Sequence, residues 1–209
     1  MFVDALWQTV YMVGLSVVIS SLWGIPLGLI LVITDTGGIA ENIALNRVLA
    51  FIVNTTRSIP FVILMFAIIP FTRFITGSAI GATAAIVPLS VAAIPFVARV
   101  VETSVREVDS GVIEAAQAMG ASPLQIIVKV LVPEALPAII AGITLTAVNL
   151  IGYSAMAGAI GGGGLGDLAI RYGYQRFDMR VLAIIVVILI VFVQGTQLIG
   201  DYIAKKVTH

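Results

Sequence analysis

The sequence contains no cysteine and a single histidine, His209, at its last position. Disulfides and thiolate metal sites are therefore excluded, and no imidazole stands within the fold for acid–base or ligand work. Charge is also scarce. Asp, Glu, Lys and Arg make up 11% of the chain, against about 25% in soluble domains. The formal net charge is zero, and with no basic tract the chain is not expected to bind nucleic acid. No Gly-Lys pair occurs anywhere, so there is no phosphate-cradling loop and no expected ATPase site. No metal site is expected either.

What the chain has in excess is apolar surface. Apolar residues form 60% of it, and the mean hydropathy is +1.13. A soluble fold of this length cannot hide so much, and the expected solvent is lipid, which makes this an all-α membrane protein. Each crossing needs about 20 mostly apolar residues. Five spans are read this way, near 9–33, 48–72, 84–104, 136–160 and 181–201, with Pro26 expected to kink the first and Arg57 and Pro60 breaking the second. No linker or second zone of composition appears, so residues 1–209 are expected to form a single transmembrane domain.

An odd number of spans puts the termini on opposite sides. With the C-terminus cytoplasmic, the inner side carries Arg47, Arg106, Lys129, Lys205 and Lys206, and the outer side Arg73, Arg171, Arg176 and Arg180. This slight excess of inner charge favours N-terminus outside and C-terminus cytoplasmic. The N-terminal residues offer Asp4 and no Lys or Arg before the first span, so the first span is expected to be retained rather than cleaved as a signal peptide.

The connection 105–133 then lies in the cytoplasm, and its local chemistry predicts two short helices. Asp109 or Ser110 caps the first, Glu114 stands early in it, and Ala115, Ala116, Ala118 and Met119 favour helix. Gly120 ends it, and Ser122, Pro123 and Gln125 restart a helix with a hydroxyl cap, a first-turn proline and a capping-box partner. Pro133 and Pro137 lead into the fourth span. Together these make a rigid knuckle.

Glu114-Ala115-Ala116, then Gly120, then Val130-Leu131-Val132-Pro133, resemble the EAA loop of ABC-importer permeases, with valines where that pattern often has Ile and Leu. The resemblance implies a type I importer permease whose first loop helix docks on a cytoplasmic ATPase, with Glu114, Ala115, Ala116 and Gly120 as the coupling residues. It also implies two copies of this chain, two ATPase subunits that carry the ATP and Mg, and an external substrate-binding protein. The location implied is the bacterial cytoplasmic membrane.

Further segments are similar to the methionine importer permeases: Arg57–Phe61, Ala85–Leu89, Pro95–Glu102, and above all Gly152–Gly158 running into Gly161–Gly166 and Tyr172–Tyr174. That resemblance implies a translocation path for L- and D-methionine. Tyr153 and Met156, three apart, share a helix face. As an adaptable apolar side chain, Met156 suits a gate, and its plainer alternative is packing between helices or against lipid. The run Gly161–Gly164 reads either as a gate or as a flexible outer turn. Arg57, Arg99 and Glu102 are the charges nearest the membrane and candidates for function on that ground. Arg99 and Glu102 can instead neutralise each other, while Arg57 has no local acidic partner and either snorkels or ties the second span to the loop.

Three rivals remain. The same machine can serve another small amino acid or a quaternary amine. An ion-gradient-driven secondary transporter needs midplane carboxylates and inverted repeats, and apart from Glu102 the spans offer none. An intramembrane hydrolase needs a Ser–Lys dyad, and no Lys lies in any span.

Overall fold

A computed structural model describes residues 1–207, so His209 lies outside the described residues. Among them, all regular structure is helical. Four helices are long and apolar enough to cross a membrane, and a sharply bent pair makes up to five. α1 (Phe2–Ile33) runs unbroken through Pro26, starting well before the expected position 9. α2 (Ile43–Ser58) and α3 (Phe61–Ala67) meet at 105° across Pro60, so the second apolar region is not one straight rod. α4 (Ile69–Thr76) completes that region, and α5 (Ala82–Arg106) contains Pro88 and Pro95.

The loop helices are α6 (Ser110–Ala118) and α7 (Pro123–Ile126). Here the structure differs from the expected pair of separate short helices. α7 continues through a π-helical turn, Ile127–Leu131, directly into α8 (Val132–Ala157), making one helical rod from Pro123 that breaks only at Ile160 and Gly161, where the backbone leaves the helical region. Pro133 does not break it, because it falls in the first turn of α8. The glycine-rich segment after α8 leads to α9 (Gly164–Leu168), a π-helical stretch Ala169–Tyr174, and α10 (Met179–Val207).

α1 lies along α5, α5 packs on α8, and α8 packs on α10. The α1–α5 seam follows from a stripe of small residues four apart. Ser16, Ser20, Gly24 and Gly28 are all buried, and a Cβ on Gly28 would stand 2.5 Å from the Ala98 carbonyl oxygen. In lipid there is little hydrophobic drive between helices, so such close backbone approach supplies the packing energy. Conversely, Trp7, Trp23, Phe51 and Phe74 point outward, and the sides of α10 expose Val187, Val191, Leu198 and Ile199. A soluble protein would not leave them so.

Candidate functional site

The loop between α5 and α8 is closed by its own side chains. Asp109 caps α6, its Oδ1 accepting from the Gly111 amide at 2.7 Å. At the other end Gly120 takes φ +79, the left-handed value that glycine adopts without penalty. The Gly120 amide then donates to the Gln117 carbonyl and the Ala121 amide to the Ala116 carbonyl, which together form a complete Schellman closure. α7 opens on a full capping box. The Ser122 amide donates to Gln125 Oε1 at 2.8 Å, and the Gln125 amide donates to Ser122 Oγ at 3.4 Å.

Within the Glu114-Ala115-Ala116 triplet the structure separates the side chains. Glu114 and Ala115 are exposed, whereas Ala116 is 4% exposed and packs among Val105, Ile126 and Leu131. Ala116 thus seats α6 on the end of α5 and the start of the α8 rod. Two large apolar side chains flank the turn in the open, Met119 at 82% and Leu124 at 69% exposure. In the sequence Met119 counts only as a helix former, and Leu124 belongs to no motif. Their signal was available, since apolar groups beside a capped turn, away from any span, have no lipid to face.

Above this loop the charges form a chain. Glu102, buried on α5, accepts from Arg99 at 2.7 Å and from Arg106 at 3.0 Å. Arg99 also donates to Asn54 on α2 at 2.6 Å, and Arg106 pairs with Asp35, in the α1–α2 loop, at 2.5 Å. The Arg106 hydrogen bond is the main cause that holds the Asp35 carboxyl below its ordinary pKa. Arg99 and Glu102 are therefore a neutralising pair, extended on both sides so that α1, α2 and α5 are tied together. Arg57 stands apart. Its guanidinium lies 5.8 Å from the centre of the Phe96 ring, and it makes no ion pair among the described residues.

Arg57 opens onto a cavity of about 240 Å³ between α2, α3, α5 and α8. Tyr153 lines it, half-buried, and stacks on Phe61 with ring centres 4.7 Å apart and planes 2° from parallel. Asn149, Thr56 and Thr146 add polar groups to the lining, and Phe96 a third ring. Met156 is 47% exposed and is not part of this lining, so the structure does not bring the two gate candidates into one chamber within a single chain.

The glycine run is ordered by distant partners. Gly163 stands at the start of α9 with φ +74, and the next two amides are capped from α1. The Gly164 amide donates to Gln8 Oε1 at 2.8 Å, and the Leu165 amide donates to Thr9 Oγ1 at 3.0 Å. No local pattern in the sequence pointed to Gln8 or Thr9.

Comparison with known proteins follows the same lines. A profile of the family described as binding-protein-dependent transport system inner membrane component matches residues 24–209. The chain is 56% identical over 209 residues to the probable D-methionine transport system permease protein MetI of Vibrio cholerae serotype O1, covering 100% of this chain and 93% of that one. It is 49% identical over 178 residues to the methionine import system permease protein MetP of Bacillus subtilis, covering 84% and 79%. A structure described as an inward-facing conformation of the MetNI methionine ABC transporter superposes with a TM-score of 0.98 at 46% identity, covering 100% of this chain and 97% of that one.

Proposed function

Since the chain belongs to the binding-protein-dependent transport system inner membrane component family, we propose that it is the permease subunit of an ATP-driven importer of methionine, in its L and D forms. The observation that carries the substrate is the near-complete superposition, at 46% identity, on a chain of a methionine ABC transporter. As a whole, residues 1–209 act as one transmembrane domain in a bacterial inner membrane, N-terminus outside and C-terminus in the cytoplasm. Two copies form the path, two separate ATPase subunits supply the nucleotide chemistry with their own ATP and Mg, and an external protein delivers the substrate. This chain itself is not catalytic.

The fold suggests how coupling works. α6 offers Glu114, Ala115, Met119 and the Gly120 turn to the ATPase, while Ala116 anchors it from behind. α6 is three residues from the end of α5, and α7 is continuous with α8. A displacement of the loop by a moving ATPase therefore acts on α5 and α8 together, and these helices form two walls of the Arg57 cavity. Tyr153 on α8 and Phe61 on α3 would then slide or part, opening the path toward Met156. Stacked aromatics can part with little loss, since the stacking is worth only about 1 kcal/mol.

Reconstitution tests this reading. Vesicles carrying the full complex should accumulate radiolabelled methionine only when ATP and the binding protein are both supplied. Accumulation without ATP, or ATP-dependent accumulation of a quaternary amine with no methionine uptake, would overturn it.

A further inference from the structure

The cavity beside Arg57 holds a cation with no counter-ion among the described residues. Arg57 is the last-but-one residue of α2, 14 residues beyond Ile43, so at 1.5 Å per residue it stands up to about 21 Å along the helix. It stands within the apolar second region, one of those expected to cross a hydrocarbon core of about 30 Å. Arg99, on α5 outside the cavity lining, is by contrast satisfied by Glu102 and Asn54. Arg57 has only the face of Phe96. An unpaired charge in a membrane span is costly, and is retained where it meets water or a ligand. Arg57 also sits at the 105° break between α2 and α3, and in secondary transporters solute sites are built at such discontinuous helices.

The rest of the lining is sorted by polarity. Near Arg57 the Asn149 carboxamide is exposed and makes no hydrogen bond among the described residues. Thr56 and Thr146 add two hydroxyls, each already donating to its own helix at the Ile52 and Gly142 carbonyls, and the rest of the wall is apolar and aromatic, with Leu64, Leu150 and the stacked Phe61–Tyr153 pair. No carboxylate lines the cavity. Its volume, about 240 Å³, is below the range of about 300–1,000 Å³ for drug-sized ligands and fits one small molecule.

We propose that this cavity is a transit site for the substrate within the permease, in which Arg57 receives the carboxylate of an amino acid and the Phe61–Tyr153 wall receives an apolar thioether side chain. A guanidinium binds a carboxylate through two parallel hydrogen bonds, and sulfur packs favourably against aromatic rings. For the α-ammonium group the lining offers only neutral oxygens, those of Asn149, Tyr153, Thr56 and Thr146. Binding is therefore weak, as a site that must release its occupant requires. This assignment rests on the methionine reading above.

Because the chain contains no cysteine, Ala92→Cys places a single thiol of this subunit in the cavity wall. Its modification by a small methanethiosulfonate reagent is followed by mass spectrometry in the reconstituted complex without ATP. Methionine should slow that modification several-fold. Methioninol, which lacks the carboxylate, should not, and Arg57→Gln should remove the protection by methionine. The methioninol arm keeps the test decisive even if Arg57→Gln does not assemble. Equal protection by methioninol, protection that survives Arg57→Gln, or protection by anionic lipid alone would overturn the transit site. So would an unprotected thiol in vesicles that do take up methionine, which leaves the importer reading intact. Vesicles that take up no methionine overturn that reading and the proposed occupant with it.

Discussion

The connection into α8, from Asp109 to Leu131, closes its helices with its own residues, whereas the connection out of α8, from Gly158 to Tyr174, borrows its closing contacts from α1. In the first, Asp109 and Ser122 cap helices that begin one residue later. In the second, Gln8 and Thr9 reach across 156 residues of chain to cap Gly164 and Leu165. The glycines differ in the same way. Gly120 has open space where a Cβ would go and is needed only for its left-handed backbone. Gly158 is needed for close approach, since a Cβ there would stand 2.5 Å from the Asp167 amide nitrogen and 2.8 Å from the Gly163 carbonyl oxygen. A locally closed segment can move as a unit, as a coupling element must. A segment held by another span moves only with that span.

The sharpest way to break this contrast is at the two glycines. Gly158→Ala should cost about 3 kcal/mol or more, because backbone atoms cannot yield as side chains do, and methionine uptake should disappear. Gly120→Ala should cost only about 1–2 kcal/mol, the strain of a left-handed alanine. Thermal unfolding of the purified complex, read beside the level of each variant in the membrane, separates them. Equal effects would show that the two connections are built alike.

Glu114→Lys probes the proposed coupling surface without touching the fold. Glu114 is exposed and makes no ion pair among the described residues, so the variant should reach the membrane at the parent level. Uptake should nevertheless fall to that of the ATP-free control. Normal uptake would remove Glu114 from the coupling surface.

Removing one cap on each side sharpens the comparison further. Ser122→Ala and Thr9→Val should each cost about 1 kcal/mol, the usual worth of a helix cap, but in different places. Hydrogen exchange should quicken at the Gln125 amide alone in Ser122→Ala. In Thr9→Val it should quicken at Leu165 and also loosen the contact of α1 with α9, since Thr9 is 2% exposed at that seam.

This division also explains what could be read from the sequence. The caps and the turn between α6 and α7 were legible, because caps, turn glycine and first-turn proline act within four residues of one another. The five apolar regions were legible because lipid demands long apolar runs. The 105° break at Pro60 was legible as a break but not as an angle, which depends on how α3 packs against α5 and α8. The fusion of α7 with α8 was missed because a proline is tolerated in a helix's first turn and otherwise reads as a boundary. The Gln8 and Thr9 caps, the inward turn of Ala116 and the stacking of Phe61 on Tyr153 arise from tertiary contact, which no local pattern records.

One remote tie on the coupling side limits the contrast, and it should have the smallest effect. Asp35, from the loop after α1, pairs with Arg106 at the foot of α5. Both side chains are substantially exposed, at 33% and 45%, so the pair contributes at most about 1 kcal/mol and less in high salt. Its pH dependence has a definite sign. The Asp35 carboxyl is held below its ordinary pKa, chiefly by the Arg106 hydrogen bond. The contribution is therefore complete above the ordinary carboxylate value and is lost only as the pH falls through the lower, folded value. Asp35→Asn should accordingly leave uptake nearly unchanged from pH 6 to 8 at physiological salt, and slightly lower stability in low salt alone. A large loss of uptake in that variant, independent of salt, would show that the α1–α2 loop helps drive α5, and that the coupling side is not as self-contained as its caps suggest.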